Sequence, residues 1–304
     1  MLVGLVLISL AAISWGTTGA TMTVLARGAA VSPLLVGWAR LAIAAPCLLV
    51  AAALEPGRPA DASRHLLDLA ALRARDLGPL LLTGLAMAGY QACYFWAVTL
   101  TGVAVAALLA ICSAPIMIAI LAATFLGERL TPVVLACLGM AVTGTALLVV
   151  GPRGLGEISG HFGLGALLAL GAGLCYAVYA VAAKGLVSRF QPLAVTAATF
   201  TLGAIFLSPA LVGGGSQDLL HPAALPLLIY LGIGPTAVAY GMFSAGLRRV
   251  PATVAGIVTL LEPLTATTLG LFVFGESLGA PGVAGAALLL GALIVLTSAR
   301  PAEG

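Results

Sequence analysis

The chain has 304 residues, of which 62% are hydrophobic and 8% charged, and its net charge is +3. A soluble domain carries about a quarter charged residues. A mean hydropathy of +1.18 leaves more apolar surface than a water-soluble fold of this length can hide, so lipid is the expected solvent. So small a net charge gives no footprint for nucleic acid.

A helix needs about 20 apolar residues to cross the bilayer core. Gly, Pro and charge clusters divide the chain into ten such segments: 2–26, 32–54, 77–99, 102–125, 131–150, 163–187, 192–212, 223–246, 252–274 and 280–299. The first lacks a basic leader and is too long for a signal-peptide core, so it reads as a span. The one long connection, Glu55 to Asp76, reads EPGRPADASRHLLDLAALRARD. Its Leu66, Leu69 and Leu72 suit a helix lying on the membrane surface; a solvated basic loop is the other reading. The five cysteines all fall in apolar stretches without a CxxC pair, so neither a disulfide framework nor a metal site is expected. No cofactor motif is present.

Basic residues set the direction of the spans. With the N-terminus on the cytoplasmic side, ten of the thirteen Lys and Arg fall in or near cytoplasmic connections. Arg27 and Arg153 lie outside, and Arg40 is within span two. Both termini are therefore expected in the cytoplasm, and the chain in an inner membrane.

The chain also repeats itself. Pro115 and Glu128 recur as Pro263 and Glu276, an offset of 148 residues in both cases, and each Glu follows a Gly. Gly84 and Gly232, and Phe95 and Phe243, share that offset. Residues 1–150 and 151–304 thus read as two five-helix units. Because five is odd, the second unit is inverted, an architecture of secondary transporters. The expected fold is all-α, with ten transmembrane helices as two inverted five-helix repeats.

The segment SWG at 14–16, Arg40 in span two, Pro115 with Gly127–Glu128, and Glu262–Pro263 with Gly275–Glu276 together resemble the ten-helix EamA-type members of the drug/metabolite transporter superfamily. Within it, the chain is most similar to the YddG-type exporters of aromatic and neutral amino acids. The resemblance implies alternating-access export of small amino acids such as Phe, Thr and Met from the cytoplasm. Permeases for sugars or nucleotide sugars share the architecture and stand as the alternative. The superfamily's four-helix multidrug members carry a proton-coupling glutamate in span one. None is present here, so transport down a gradient is expected.

Glu262 is the one acidic residue deep in a span. An ionised carboxylate there costs at least ~2.5 kcal/mol. Two readings stand: it lines a substrate path, or a neighbouring helix holds it. Pro115, Pro235 and Pro263 are candidate helix breaks. Arg40 is a candidate for an ion pair or for a substrate carboxylate, and Lys184 for snorkelling to the surface. Tyr90 and Tyr94, Tyr176 and Tyr179, and Tyr240 and Phe243 pair on helical faces. With Trp15, Gln91 and Glu262 they are the candidate substrate-cavity residues, and Ser14, Ser113 and Ser244 add hydrogen bonds. An amphipathic cavity of this kind suits a small zwitterion. Phe95 and Trp96 are candidate interfacial anchors. Spans five and ten, without deep charges or aromatics, are expected at the periphery.

An enzyme is disfavoured. His65, His161 and His221 lie in loops, with no HExxH and no Asp-rich diphosphate motif. A channel would need a charge ring or a carbonyl filter. The expected partners are the bilayer and a small-molecule substrate.

Overall fold

The computed structural model describes residues 1–29, 31–54, 74–150, 162–213, 215–275 and 279–298. Helices occupy almost all of them. α1 spans Leu2–Gly28, α2 Pro33–Leu54, α3 Ala74–Phe125, α4 Pro132–Val150, α5 Phe162–Val187 and α6 Pro192–Leu207. α7 (Leu225–Gly232), a π-helical turn (Ile233–Val238) and α8 (Ala239–Leu247) together form span eight. α9 (Ala252–Val258) and α10 (Leu261–Phe274) form span nine, and α11 (Ala280–Ser298) is span ten. The surface-helix reading of the long connection concerns residues outside those described, except for its last residues.

Lipid dictates this outcome, because it offers no partner for a free backbone N–H or C=O. Nine segments of the described residues are long and apolar enough to cross a membrane. The tenth span, the first leg of α3, is less apolar because it carries Tyr90, Gln91 and Tyr94. The surface is apolar as well: Ile13, Leu85, Ile120, Leu167 and Ile294 are exposed. Thr83, Gln91, Thr196, Thr236 and Ser244 are buried instead.

The expected spans three and four are one helical element, turned at Gly102, whose φ of 80° suits glycine alone. The expected break at Pro115 is corrected: α3 remains helical through it. Proline removes one backbone donor there, but packing against α5 at Gly173 holds the segment in place. A Cβ on Gly173 would stand 2.3 Å from Ser113 Oγ. α4 and α11, spans five and ten, pack on each other through Gly144 and Gly285, whose backbones leave no room for a side chain.

The end of the molecule rich in Arg and Lys is tied by three polar contacts. Arg189 Nη1 donates to Asp76 Oδ1 at 2.6 Å. Asp76, expected in a loop, sits in the first turn of α3 and is buried. Lys184 does not snorkel: its Nζ donates to the carbonyls of Leu247 and Val250, each at 2.8 Å. Those carbonyls belong to the α8–α9 turn, where the helical ladder is interrupted. Glu128 caps α9 from 124 residues away. It accepts from Ala252 N at 2.5 Å and Thr253 N at 3.0 Å, and from Thr253 Oγ1 at 2.8 Å. A carboxylate at a helix N-terminus satisfies donors that α9 leaves open and meets the positive end of its dipole.

Glu128→Gln keeps the side-chain shape but loses the charge and one acceptor. It is expected to destabilise the fold by about 1–3 kcal/mol, the usual scale for charge-assisted bonds. The check is the thermal unfolding midpoint in detergent, and an unchanged midpoint would deny the cap any structural weight.

Candidate functional site

Five helices bring aromatic side chains together at mid-chain depth. Trp15 of α1 is the hub. Its ring centroid lies 4.7 Å from Tyr240, 5.4 Å from Phe243 and 6.4 Å from Tyr176. Tyr176 continues to Tyr90 at 5.7 Å, and Tyr90 to Tyr94 at 6.0 Å. Tyr179 stands 6.0 Å from both Tyr176 and Tyr240. The candidate rings from α1, α3, α5 and α8 thus form one cluster. Phe200 of α6 joins it, 4.8 Å from Tyr240. Phe200 escapes sequence reading because an apolar ring in an apolar span carries no polar signal. Phe95 is a correction: it is buried against Gly37 rather than anchored at the interface, whereas Trp96 is exposed.

The SWG segment has a geometric reason. A Cβ on Gly16 would lie 2.8 Å from the Glu262 carbonyl and 2.5 Å from Thr265 Cβ. Glycine lets α1 touch the backbone of α10 at Glu262, and Trp15 is its neighbour in the chain. Glu262 itself is half-buried in the first turn of α10, directly after the non-helical residues Thr259 and Leu260. Pro263 therefore falls in a first turn, where its missing N–H costs little.

Several polar tips in the cluster lack protein partners. Trp15 Nε1 and the Tyr176 hydroxyl are buried without a hydrogen bond among the described residues, as is Thr18 Oγ1 one turn along α1. An unsatisfied buried donor costs about 1–3 kcal/mol. The Tyr179 hydroxyl lies beside Ser244, whose Oγ is hydrogen-bonded with Thr196 Oγ1 at 2.7 Å. Gln91 is buried on the same leg of α3 as Tyr90 and Tyr94.

Arg40 is buried, and it does not form the expected ion pair with Glu262. Its Nε donates to Thr236 Oγ1 at 3.1 Å. The remaining guanidinium nitrogens have no partner among the described residues. Arg40 and Glu262 still lie within electrostatic reach of one another and of Tyr90, Tyr94 and Tyr240. The third break candidate, Pro235, sits in the π-helical turn that carries Thr236. Opposite charges thus flank an aromatic cluster without neutralising each other by contact.

The two halves differ in tightness. Residues 252–260 are all buried, while the repeat-related 105–112 alternate between buried and half-buried. The basic end is the tighter one. Grooves of about 640 and 800 Å³ indent that end. They are lined chiefly by aliphatic residues and include no member of the aromatic cluster. No group of three metal-ligating side chains occurs among the described residues.

A family model decides the membership: that of the EamA-like transporter family matches residues 2–150 and 163–298. The chain belongs to that family. A relative in Bacillus subtilis (strain 168), named uncharacterized transporter YwfM, is 34% identical over 95% of this chain and 92% of its own. A probable terminal-alkyne amino-acid exporter of Streptantibioticus cattleyicolor is 30% identical over 71% of this chain and 74% of its own. The threonine/homoserine exporter RhtA of Salmonella typhimurium (strain LT2) is 29% identical over 66% and 64%. A crystal structure that is 22% identical superposes with a TM-score of 0.80, covering 97% of this chain and 96% of the other, and supports the fold. The EamA-like protein is therefore a multi-pass membrane transporter.

Because the Tyr176 hydroxyl has no protein partner, Tyr176→Phe removes no bond. Its unfolding midpoint is expected to equal or exceed that of the unaltered protein. Ser244→Ala breaks the bond to Thr196 and is expected to lose about 1 kcal/mol. Side-by-side thermal unfolding checks both. A Tyr176→Phe protein as destabilised as Ser244→Ala would show that its hydroxyl is engaged within the fold.

Proposed function

We propose that the chain exports small neutral and aromatic amino acids by alternating access. Residues 1–150 and 151–304 form its two inverted units. Both termini face the cytoplasm of a cell whose inner membrane holds it. The observation that carries this reading is the aromatic cluster, with unpartnered donors on Trp15 and Tyr176, flanked by Arg40 and Glu262. A zwitterion brings a carboxylate for the first, an ammonium for the second and a side chain for the rings. Fixed charges are too few for a phosphate or a dicarboxylate. The amino-acid exporters among the relatives support the same substrate class, and RhtA's name adds small hydroxylated side chains to the aromatic ones of the YddG type.

Export follows from orientation only in part. A carrier without a coupling ion runs down whichever gradient it meets, and a cell that overproduces an amino acid supplies an outward one. The basic end, closed by Glu128, Lys184 and Arg189, is the cytoplasmic gate in this reading. The state described is then the one with that gate shut.

Counterflow in proteoliposomes tests the proposal. Vesicles loaded with unlabelled phenylalanine, threonine or methionine are expected to accumulate the same labelled amino acid transiently above equilibrium, and empty vesicles are not. Glu262→Gln is expected to raise KM for amino acids by about tenfold, the scale of one hydrogen bond to a charged group. Absence of overshoot with every amino acid, in folded protein, would remove this substrate class and favour a sugar or related permease.

A further inference from the structure

We infer that Thr236 is the positioning residue that aims Arg40 at a substrate carboxylate, and that Pro235 creates the turn that makes this happen. The inference rests on the amino-acid reading of the same site.

The argument begins with one missing proton. Proline has no N–H, and in a helix its ring clashes with the carbonyl four residues earlier. For Pro235 that carbonyl belongs to Leu231. The chain answers by widening to a π-helical turn over Ile233–Val238, and π-turns inside helices are frequent at functional sites. The freed Leu231 carbonyl is taken by the Thr236 hydroxyl, which donates to it at 2.7 Å across five residues.

That donation commits the hydroxyl's single proton. Thr236 Oγ1 is then left with acceptor capacity only. It meets the one side chain that can use it, Arg40 Nε, at 3.1 Å, from the opposite half of the molecule. A guanidinium held at Nε has its rotation fixed, and its two Nη groups stay together as a fork. Such a fork matches a carboxylate bidentately. Among the described residues no carboxylate takes it, Glu262 included. Arg40 is buried in a span with no carboxylate in contact among the described residues, where a charge is expensive and its default reading is functional.

The consequence is a selectivity rule. Ligands with a carboxylate depend on Thr236, and ligands without one do not. The test compares three ligands of one shape: phenylalanine, phenethylamine, which lacks the carboxylate, and 3-phenylpropionate, which lacks the amine. Binding to the purified protein is read by isothermal titration, alongside thermal unfolding of the unliganded protein.

Thr236→Val keeps the volume and removes the hydroxyl. It is expected to weaken phenylalanine and phenylpropionate by about tenfold or more, the scale of a lost bond to a charged group, and to leave phenethylamine unchanged. Thr236→Ser is expected to restore both. Pro235→Ala is the second arm, because it lets a regular helix reclaim the Leu231 carbonyl and so releases the threonine proton. It is expected to fold at least as stably while losing the same two ligands selectively. Equal weakening of all three ligands, or none, or failure of the serine variant to rescue, overturns the role of Thr236. Failure of the unaltered protein to bind any of the three overturns the amino-acid reading, and this inference falls with it.

Discussion

The constraint on which everything else depends is that the bilayer offers no hydrogen bonds. Every backbone group in a span must find its partner in protein. An unbroken helix meets that demand but leaves nothing for function, because its polar groups are all spent. Three departures from helix among the described residues are met by side chains. The α8–α9 turn exposes the carbonyls of Leu247 and Val250, and Lys184 takes both. The start of α9 exposes donors, and Glu128 takes them. Pro235 frees the Leu231 carbonyl, and Thr236 takes it. Lys184, Glu128 and Thr236 thus act as repairs to the backbone.

Repairs of this kind also link distant parts of the molecule. Glu128 lies in the connection between α3 and α4, and the helix it caps begins 124 residues later. That helix runs from the cap at Ala252 to the non-helical residues 259–260 and then to Glu262. A seven-residue rod thus joins the tight basic end to the turn that precedes Glu262. All seven of its residues are buried and leave it little freedom to bend, so a shift at one end is carried to the other. On the proposed reading, α9 links the carboxylate at the site to the cap at the gate.

How much of this was legible in sequence follows from the same physics. Span number and length were, since bilayer thickness sets the count of apolar residues in each. The proposed division into two units rests on Pro and Gly–Glu recurring in apolar sequence at a constant offset. The aromatic cluster was legible, because Trp15 and the tyrosines are polar-tipped in spans that otherwise lack polar groups. Pairing was not. In a soluble helix, hydrophobic periodicity reveals which face is buried. In a membrane both faces are apolar, so nothing in the sequence says that Arg40 meets Thr236 rather than Glu262, or that Lys184 turns inward to a helix end. Phe200 was hidden for the same reason. Pro115 misled because proline reports a missing donor, not a break: α3 packs through it, and the turn is made thirteen residues earlier at Gly102.

The proline pair of the repeat shows how one punctuation mark acquires two uses. Pro115 lies deep in a continuous helix, while Pro263 falls in a first turn, one residue after Glu262. The equivalent of Glu262 in the first unit is Ala114, a small buried residue. In the proposed site the two halves of the chain therefore contribute unlike groups: the second supplies the carboxylate and the π-turn, and the first supplies Arg40, Trp15 and the tyrosines of α3. A symmetric site would carry like charges on both sides and attract an ion of one sign. On the proposed reading, an asymmetric site carries opposite charges across an aromatic surface, the arrangement a dipolar substrate requires.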